Sequence, residues 1–172
     1  VCGQPKRGES FMDHGPQLAG VKIEAMSRSG SAAQWCLKRY FEELDEQLAD
    51  GLTAKDVLTD RSEFSTPRSL FLVASADGQW VGCGGLKCLT SESACIKRMW
   101  VDKSWRGLGL GRLLLFLLES HAKELGYTVV KLEANRLLQE ATQLYRTQGY
   151  REATPFIEEP CAECWHWLEK AL

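Results

Sequence analysis

No stretch of this 172-residue sequence is apolar for long enough to cross a bilayer as a helix. The longest uninterrupted apolar run, Leu113 to Leu118, falls far short of the roughly 20 residues a spanning helix requires, so no membrane partner is expected. An excess of charge of one sign is also missing. The 21 Lys and Arg against 23 Asp and Glu leave a net charge of −2, which offers no overall attraction to polyanions and gives no sign of a nucleic-acid partner. The opening VCGQPKRGESFMDHGPQ has no apolar signal core. Residues 1–19 read as a disordered or expression-derived lead-in, nothing marks the chain for export, and a cytoplasmic location is expected.

A regular cysteine framework is lacking as well. The seven cysteines form an odd set, and a chain of this size needs no staples to stabilise its core, so reduced thiols are expected. Cys161, Cys164 and His166 resemble half a metal site, but a structural zinc site wants four ligands. Cys83, Cys88 and Cys95 are scattered along strand-like segments with no His nearby, so no metal is expected. Finally, no Gly-Lys-Ser/Thr occurs anywhere, which excludes a nucleoside-triphosphate P-loop.

What is present reads as one globular domain over residues 20–172, without internal repeat or linker. GVKIEAMS alternates as a strand should, and AAQWCLKRYFEELDEQLADG carries Leu37, Phe41, Leu44 and Leu48 at helical spacing with an acidic outer face. A short helix over Thr53 to Leu58 is expected next. LFLVASA and QWVGCGGLKCL flank Asp77-Gly78, a tight-hairpin signal, and Ala94 to Asp102 supplies a third antiparallel strand. The pattern then changes to a helix from about Gly109 to Leu125, a strand TVVKLEA, a helix from about Leu137 to Thr147, and a late strand CWHWLEK. Antiparallel strands followed by a parallel β-α-β unit predict an α/β mixed sheet with helices on both faces.

WRGLGLGRLLL, Trp105 to Leu115, carries the most specific chemistry. The first N–H groups of a helix have no intrahelical partner and lie at the positive end of its dipole, so a glycine-rich helix start seats phosphate. Arg106 and Arg112 can add charge-assisted hydrogen bonds, and a pyrophosphate is the natural guest. Glycines required only for a tight turn are the plainer reading. A dinucleotide fingerprint fits less well: Glu133 stands near the spacing of a ribose-binding acid, but Leu114 replaces the third glycine and the loop from Asp102 to Arg106 is too long.

The stretch Arg106, Gly109, Gly111 resembles the motif of the GNAT superfamily of N-acetyltransferases: Gln or Arg, two residues, Gly, one residue, Gly or Ala. IKRMWV (Ile96 to Val101) resembles that family's fourth strand, and LEANRLLQEATQLYRTQGYRE its fifth strand and following helix. The tail PFIEEPCAECWHWLEK is similar to that of bacterial GNAT domains, free-standing or fused to MarR-type regulators. The resemblance implies a GNAT fold and acetyl-CoA as cosubstrate. It assigns the backbone of Met99, Trp100 and Val101 to the pantetheine arm and acetyl carbonyl. It assigns the N–H groups of Gly107, Leu108, Gly109, Leu110, Gly111 and Arg112 to the pyrophosphate, with Arg106 beside them. Asn135 matches a position that contacts the cofactor arm; a loop or helix cap is its alternative role.

Acetyl transfer needs a neutral attacking amine, a stabilised oxyanion and a proton for the departing thiolate. The resemblance makes Tyr145 the general acid, since a phenol with an ordinary pKa near 10 is protonated at neutral pH. Many relatives carry Glu where this chain has Cys95. Direct transfer is expected rather than an acetyl-cysteine, with the proton leaving through water to Glu92 or Glu63. Glu42, Glu43, Asp45 and Glu46 form an acidic wall that would draw a cationic amine, unless they are only a solvated helix face. Phe156, Trp165 and Trp167 are candidates for an acceptor pocket or the core. The acceptor expected is an amine of a small molecule, peptide or protein, with a homodimer left open. The competing reading is a noncatalytic acyl-CoA-binding regulatory module.

Overall fold

The computed structural model describes residues 17–48, 64, 66–158 and 162–172. The expected helix over Thr53 to Leu58, the candidate base Glu63, Cys161 and most of the lead-in lie outside the described residues. Among the described residues the strands join in one seven-stranded sheet and are numbered in chain order. Strand β1 (Val21–Ala25) pairs antiparallel with β2 (Leu70–Ala76), and β2 pairs likewise with β3 (Gln79–Cys88). The β2–β3 turn is Asp77-Gly78, with φ of 49° and 74°, the pair of positive angles that a tight hairpin requires. Strand β4 (Ser93–Val101) completes the antiparallel half.

The direction of pairing then changes. Strand β5 (Val129–Asn135) runs parallel to β4, β7 (Trp165–Ala171) antiparallel to β5, and the two-residue β6 (Arg151–Glu152) pairs with the outer edge of β7. A mixed sheet with a parallel step at β4–β5 is the architecture expected from sequence. Only β6 went unforeseen, because two residues are too short for alternation to register.

Alternation along β2 divides the core. Leu72, Ala74 and Ala76 point to one face, where helix α2 (Leu110–Glu124) buries Leu110, Leu114, Leu115 and Leu118; Phe71 and Val73 point to the other, where helix α1 (Ser31–Leu48) buries Ala33, Cys36, Leu37 and Phe41. Helix α3 (Gln139–Thr147) adds Tyr145 to the α2 side. No helix among the described residues is long and apolar enough to cross a membrane. Cys36, Cys83, Cys88 and Cys95 are free thiols, but Cys164 is disulfide-bonded, so the expectation of reduced thiols does not hold there.

Candidate functional site

The sheet parts between β4 and β5. They pair only at Ser93–Val129, Ala94–Val130 and Cys95–Lys131; beyond Cys95, β4 continues along β3 alone and β5 along β7 alone. A local cause lies in β4, where Arg98 takes φ of 58° and the β3 register slips between Cys83 and Gly85. An extra residue on one strand bends it and increases its twist, which turns the end of β4 away from β5. The main chain of Met99, Trp100 and Val101 therefore flanks a gap rather than a neighbouring strand.

At the mouth of that gap the chain leaves β4 through a short 3-10 turn, Lys103–Trp105. Asp102 caps it: its Oδ1 accepts from the Ser104 N–H at 2.9 Å and the Ser104 hydroxyl at 2.5 Å. The serine hydroxyl is the main reason the Asp102 carboxyl sits below its ordinary pKa. Gly107 and Gly109 then take φ of 73° and 94°, and a Cβ built on either would meet nothing within 4 Å. Their conformation favours glycine, and the space over them is open. Helix α2 makes its first bond from the Leu113 N–H to the Gly109 carbonyl at 3.0 Å, so the N–H groups of Leu110, Gly111 and Arg112 precede the helical ladder. An open, glycine-lined helix start of this kind fits a diphosphate.

A cleft of about 620 Å³ runs from this loop along the parted strands. It is lined by Met99, Trp100, Val101, Arg106, Gly107, Gly109, Gly111, Arg112 and Tyr145, which brings most of the expected site together. Leu110 supplies no side chain to the cleft because it is fully buried beneath α2, while Leu108 is 57% exposed at the rim. Glu43, expected as part of an acidic wall, does line the cleft, and two further groups from distant helices join it: Tyr40 from α1, and the first turn of α3 around Leu138 to Ala141. Alternation cannot signal them, since each reaches the cleft only through the docking of a distant helix.

Several expected residues have other positions or partners. Asn135 accepts the Leu137 N–H on its Oδ1 at 3.0 Å, the capping role that was its alternative reading. The Arg106 guanidinium is turned onto Glu43, Nη2 to Oε1 at 2.5 Å and to Oε2 at 2.7 Å, and its Nε donates to the Val101 carbonyl at 2.9 Å. Glu92 lies away from the cleft. It is exposed at the start of β4, where its carbonyl accepts from the Thr128 and Val129 N–H groups, at the end where the strands are still paired. Met99 lies seven residues further on, about 20 Å along an extended strand, and Glu92 is not among the residues that line the cleft.

One carboxylate does reach across the parting of β4 from β5: Glu133, on β5, meets Lys97 of β4. Lys97 Nζ reaches its Oε1 at 2.6 Å across the gap, with both side chains about one-eighth exposed, and the Cys95 thiol donates to its Oε2 at 3.4 Å. Burial is the chief reason the Tyr145 phenol sits above its ordinary pKa of 10, and Tyr40, Glu133 and Cys95 push it the same way. Burial likewise pushes the Cys95 thiol well above its ordinary value, which keeps it neutral and unsuited to nucleophilic attack. Lys97 is held above its ordinary pKa by the Glu133 carboxylate, against the opposing effect of its own burial. In the sequence Glu133 stands out only by its spacing as a ribose-binding acid, in a fingerprint that fails at Leu114 and at the loop before it; its facing residue, 36 positions earlier, carries no signal of the pairing.

Around the late strand, Trp167 is buried, its indole N–H donating to the Ala162 carbonyl at 2.9 Å, and Phe156 packs edge-on against it at 5.1 Å. These two are packing residues. His166 lies 3.3 Å from Glu152, and among the described residues no cluster of three or more His, Cys, Asp or Glu could hold a metal.

The fold is that of the acyl-CoA N-acyltransferases. An acetyltransferase from Streptococcus agalactiae superposes with a TM-score of 0.75 at 17% identity, covering 90% of this chain and 100% of that one. An N-acetyltransferase from Thermoplasma acidophilum, solved in complex with coenzyme A, superposes with a TM-score of 0.68 at 17% identity over 88% of this chain and 99% of that one. The family model for the acetyltransferase (GNAT) domain matches residues 67–152, and an IAA acetyltransferase from Azospirillum brasilense is 34% identical over 73% of this chain and 84% of its own length. The chain belongs to the GNAT acetyltransferase family.

Proposed function

We propose that this protein transfers the acetyl group of acetyl-CoA directly to a primary amine of a small molecule, peptide or protein. The observation that carries the reading is the continuity of one cleft from the open glycine loop, past the unpaired end of β4, to the Tyr145 phenol. The diphosphate is assigned to the N–H groups from Gly107 to Arg112, with the Arg112 side chain beside them. The pantetheine is assigned to the main chain of Met99 to Val101, which can pair with it as an added strand would.

The amine nitrogen attacks the thioester carbonyl, and backbone N–H groups at the end of β4 stabilise the oxyanion. As the tetrahedral centre collapses, the carbon–sulfur bond breaks and the Tyr145 hydroxyl protonates the departing thiolate. Glu133, in place of Glu92, receives the proton lost by the amine. Net products are the N-acetylated amine and coenzyme A. The neutral, buried state of the Cys95 thiol supports direct transfer over an acetyl-cysteine.

Acetyl-CoA consumption across an amine panel tests the reading, with Tyr145→Phe alongside. Removing the phenol is expected to lower kcat by about 100-fold or more and leave coenzyme A affinity within about twofold. Tight coenzyme A binding without turnover of any amine would favour the noncatalytic module instead.

A further inference from the structure

Arg106 occupies the motif position that sequence reading gave to the diphosphate, yet its guanidinium is engaged elsewhere. Glu43, 63 residues earlier on α1, accepts from Arg106 Nη2 on both oxygens and from the Trp100 indole N–H at 3.1 Å. Arg106 Nε anchors the same guanidinium to the last residue of β4, through the Val101 carbonyl at 2.9 Å. The Glu43 side chain is 15% exposed and Arg106 is 33% exposed, and both line the cleft beside Gly107 and Gly109. A carboxylate on the wall of a diphosphate site is a liability, because like charges in a partly desolvated cleft repel. Arg106 cancels that charge and ties α1, the end of β4 and the glycine loop into one unit.

We infer that Arg106 is a positioning residue that neutralises Glu43 and holds the glycine loop to α1, rather than a direct ligand of the diphosphate. The inference rests on the coenzyme A reading of the cleft. Its physical content is a coupling: loss of Arg106 is harmful because Glu43 is left behind. Gln, the alternative the motif allows at this position, could still donate a hydrogen bond but could not cancel the charge. A Gln at 106 is therefore compatible with tight binding only when position 43 is not acidic.

The test is a double-mutant cycle read by calorimetric titration with coenzyme A, and in parallel with pantetheine, which has no diphosphate. R106Q is expected to weaken coenzyme A binding about tenfold and leave pantetheine within about twofold. R106Q/E43Q is expected to recover coenzyme A affinity to within about threefold of the unsubstituted chain. A double variant as weak as R106Q alone would overturn the inference and make Arg106 a direct phosphate ligand. Equal weakening of coenzyme A and pantetheine by R106Q would also overturn it, by pointing to general disorder of the cleft. If the unsubstituted chain bound no coenzyme A, the reading of the cleft would fail first. The coupling would then be judged by urea unfolding, where the destabilisation caused by R106Q must shrink in the E43Q background or the inference fails.

Discussion

Gly109→Ala separates the two reasons a glycine can stand at the start of α2: the angle its backbone takes, and the room it leaves. Gly109 has φ of 94° and ψ of −2°, in the left-handed region. An L-residue there costs about 1–2 kcal/mol, and because a Cβ at this position would meet nothing within 4 Å, neither a clash nor a new packing contact alters that figure. For a domain of this length each kcal/mol moves Tm by about 2–4 °C, so the variant should melt about 2–8 °C lower. Gly111→Ala is the internal control. Its Cβ would make ordinary contact with Leu144 Cδ2 at 3.4 Å, and inside a helix Ala is better than Gly by up to about 1 kcal/mol, so its Tm should hold or rise. Calorimetry then reads the second reason. The Gly109→Ala methyl stands in the open space of the cleft wall and should weaken coenzyme A by tenfold or more, at least about 1.4 kcal/mol. A Gly109→Ala chain with unchanged Tm would refute the backbone argument, and one with unchanged affinity would refute the phosphate seat.

Glu133→Gln should lower kcat by about 100-fold with little change in coenzyme A affinity. Because it strands the buried Lys97, the double variant Glu133→Gln/Lys97→Met should regain stability without regaining rate; a double variant with restored kcat would show that Glu133 only braces the gap. Added salt should change the Michaelis constant for a cationic amine by less than about twofold, because three of the four acids on the acidic face of α1 are already countered: Glu42 by Lys38 and Arg39, Glu43 by Arg106, and Glu46 by Lys103. A steep rise with salt would restore the acidic wall as an attractant. The raised pKa of the Tyr145 phenol means that the folded state holds this proton more tightly than the unfolded state does. The stability it contributes is present below pH 10 and is lost as pH rises above that, so urea midpoints should fall through the alkaline range and fall less steeply in Tyr145→Phe. An identical slope in both chains would contradict the burial of that hydroxyl.

Features that depend on neighbours along the chain were legible before folding. Helical spacing in α1, α2 and α3, the Asp77-Gly78 turn, and the glycine loop ahead of Leu110 are all local patterns, because backbone geometry repeats every few residues and turn angles select particular side chains. The resemblance of IKRMWV and LEANRLLQEATQLYRTQGYRE to family elements likewise rests on contiguous stretches. Tertiary structure alone decided which charged groups meet. Arg106 finds Glu43 rather than facing the glycine loop alone, Lys97 finds Glu133 across the parted strands, and Glu92 is carried to the far end of β4. The physical reason is that a salt bridge depends on distance in space, and residues 36 or 63 positions apart become neighbours only after the sheet has twisted and α1 has packed on it. The parting of β4 from β5 belongs to the same class, since a bulge at one residue becomes a cleft only when the next strand is held back by β7.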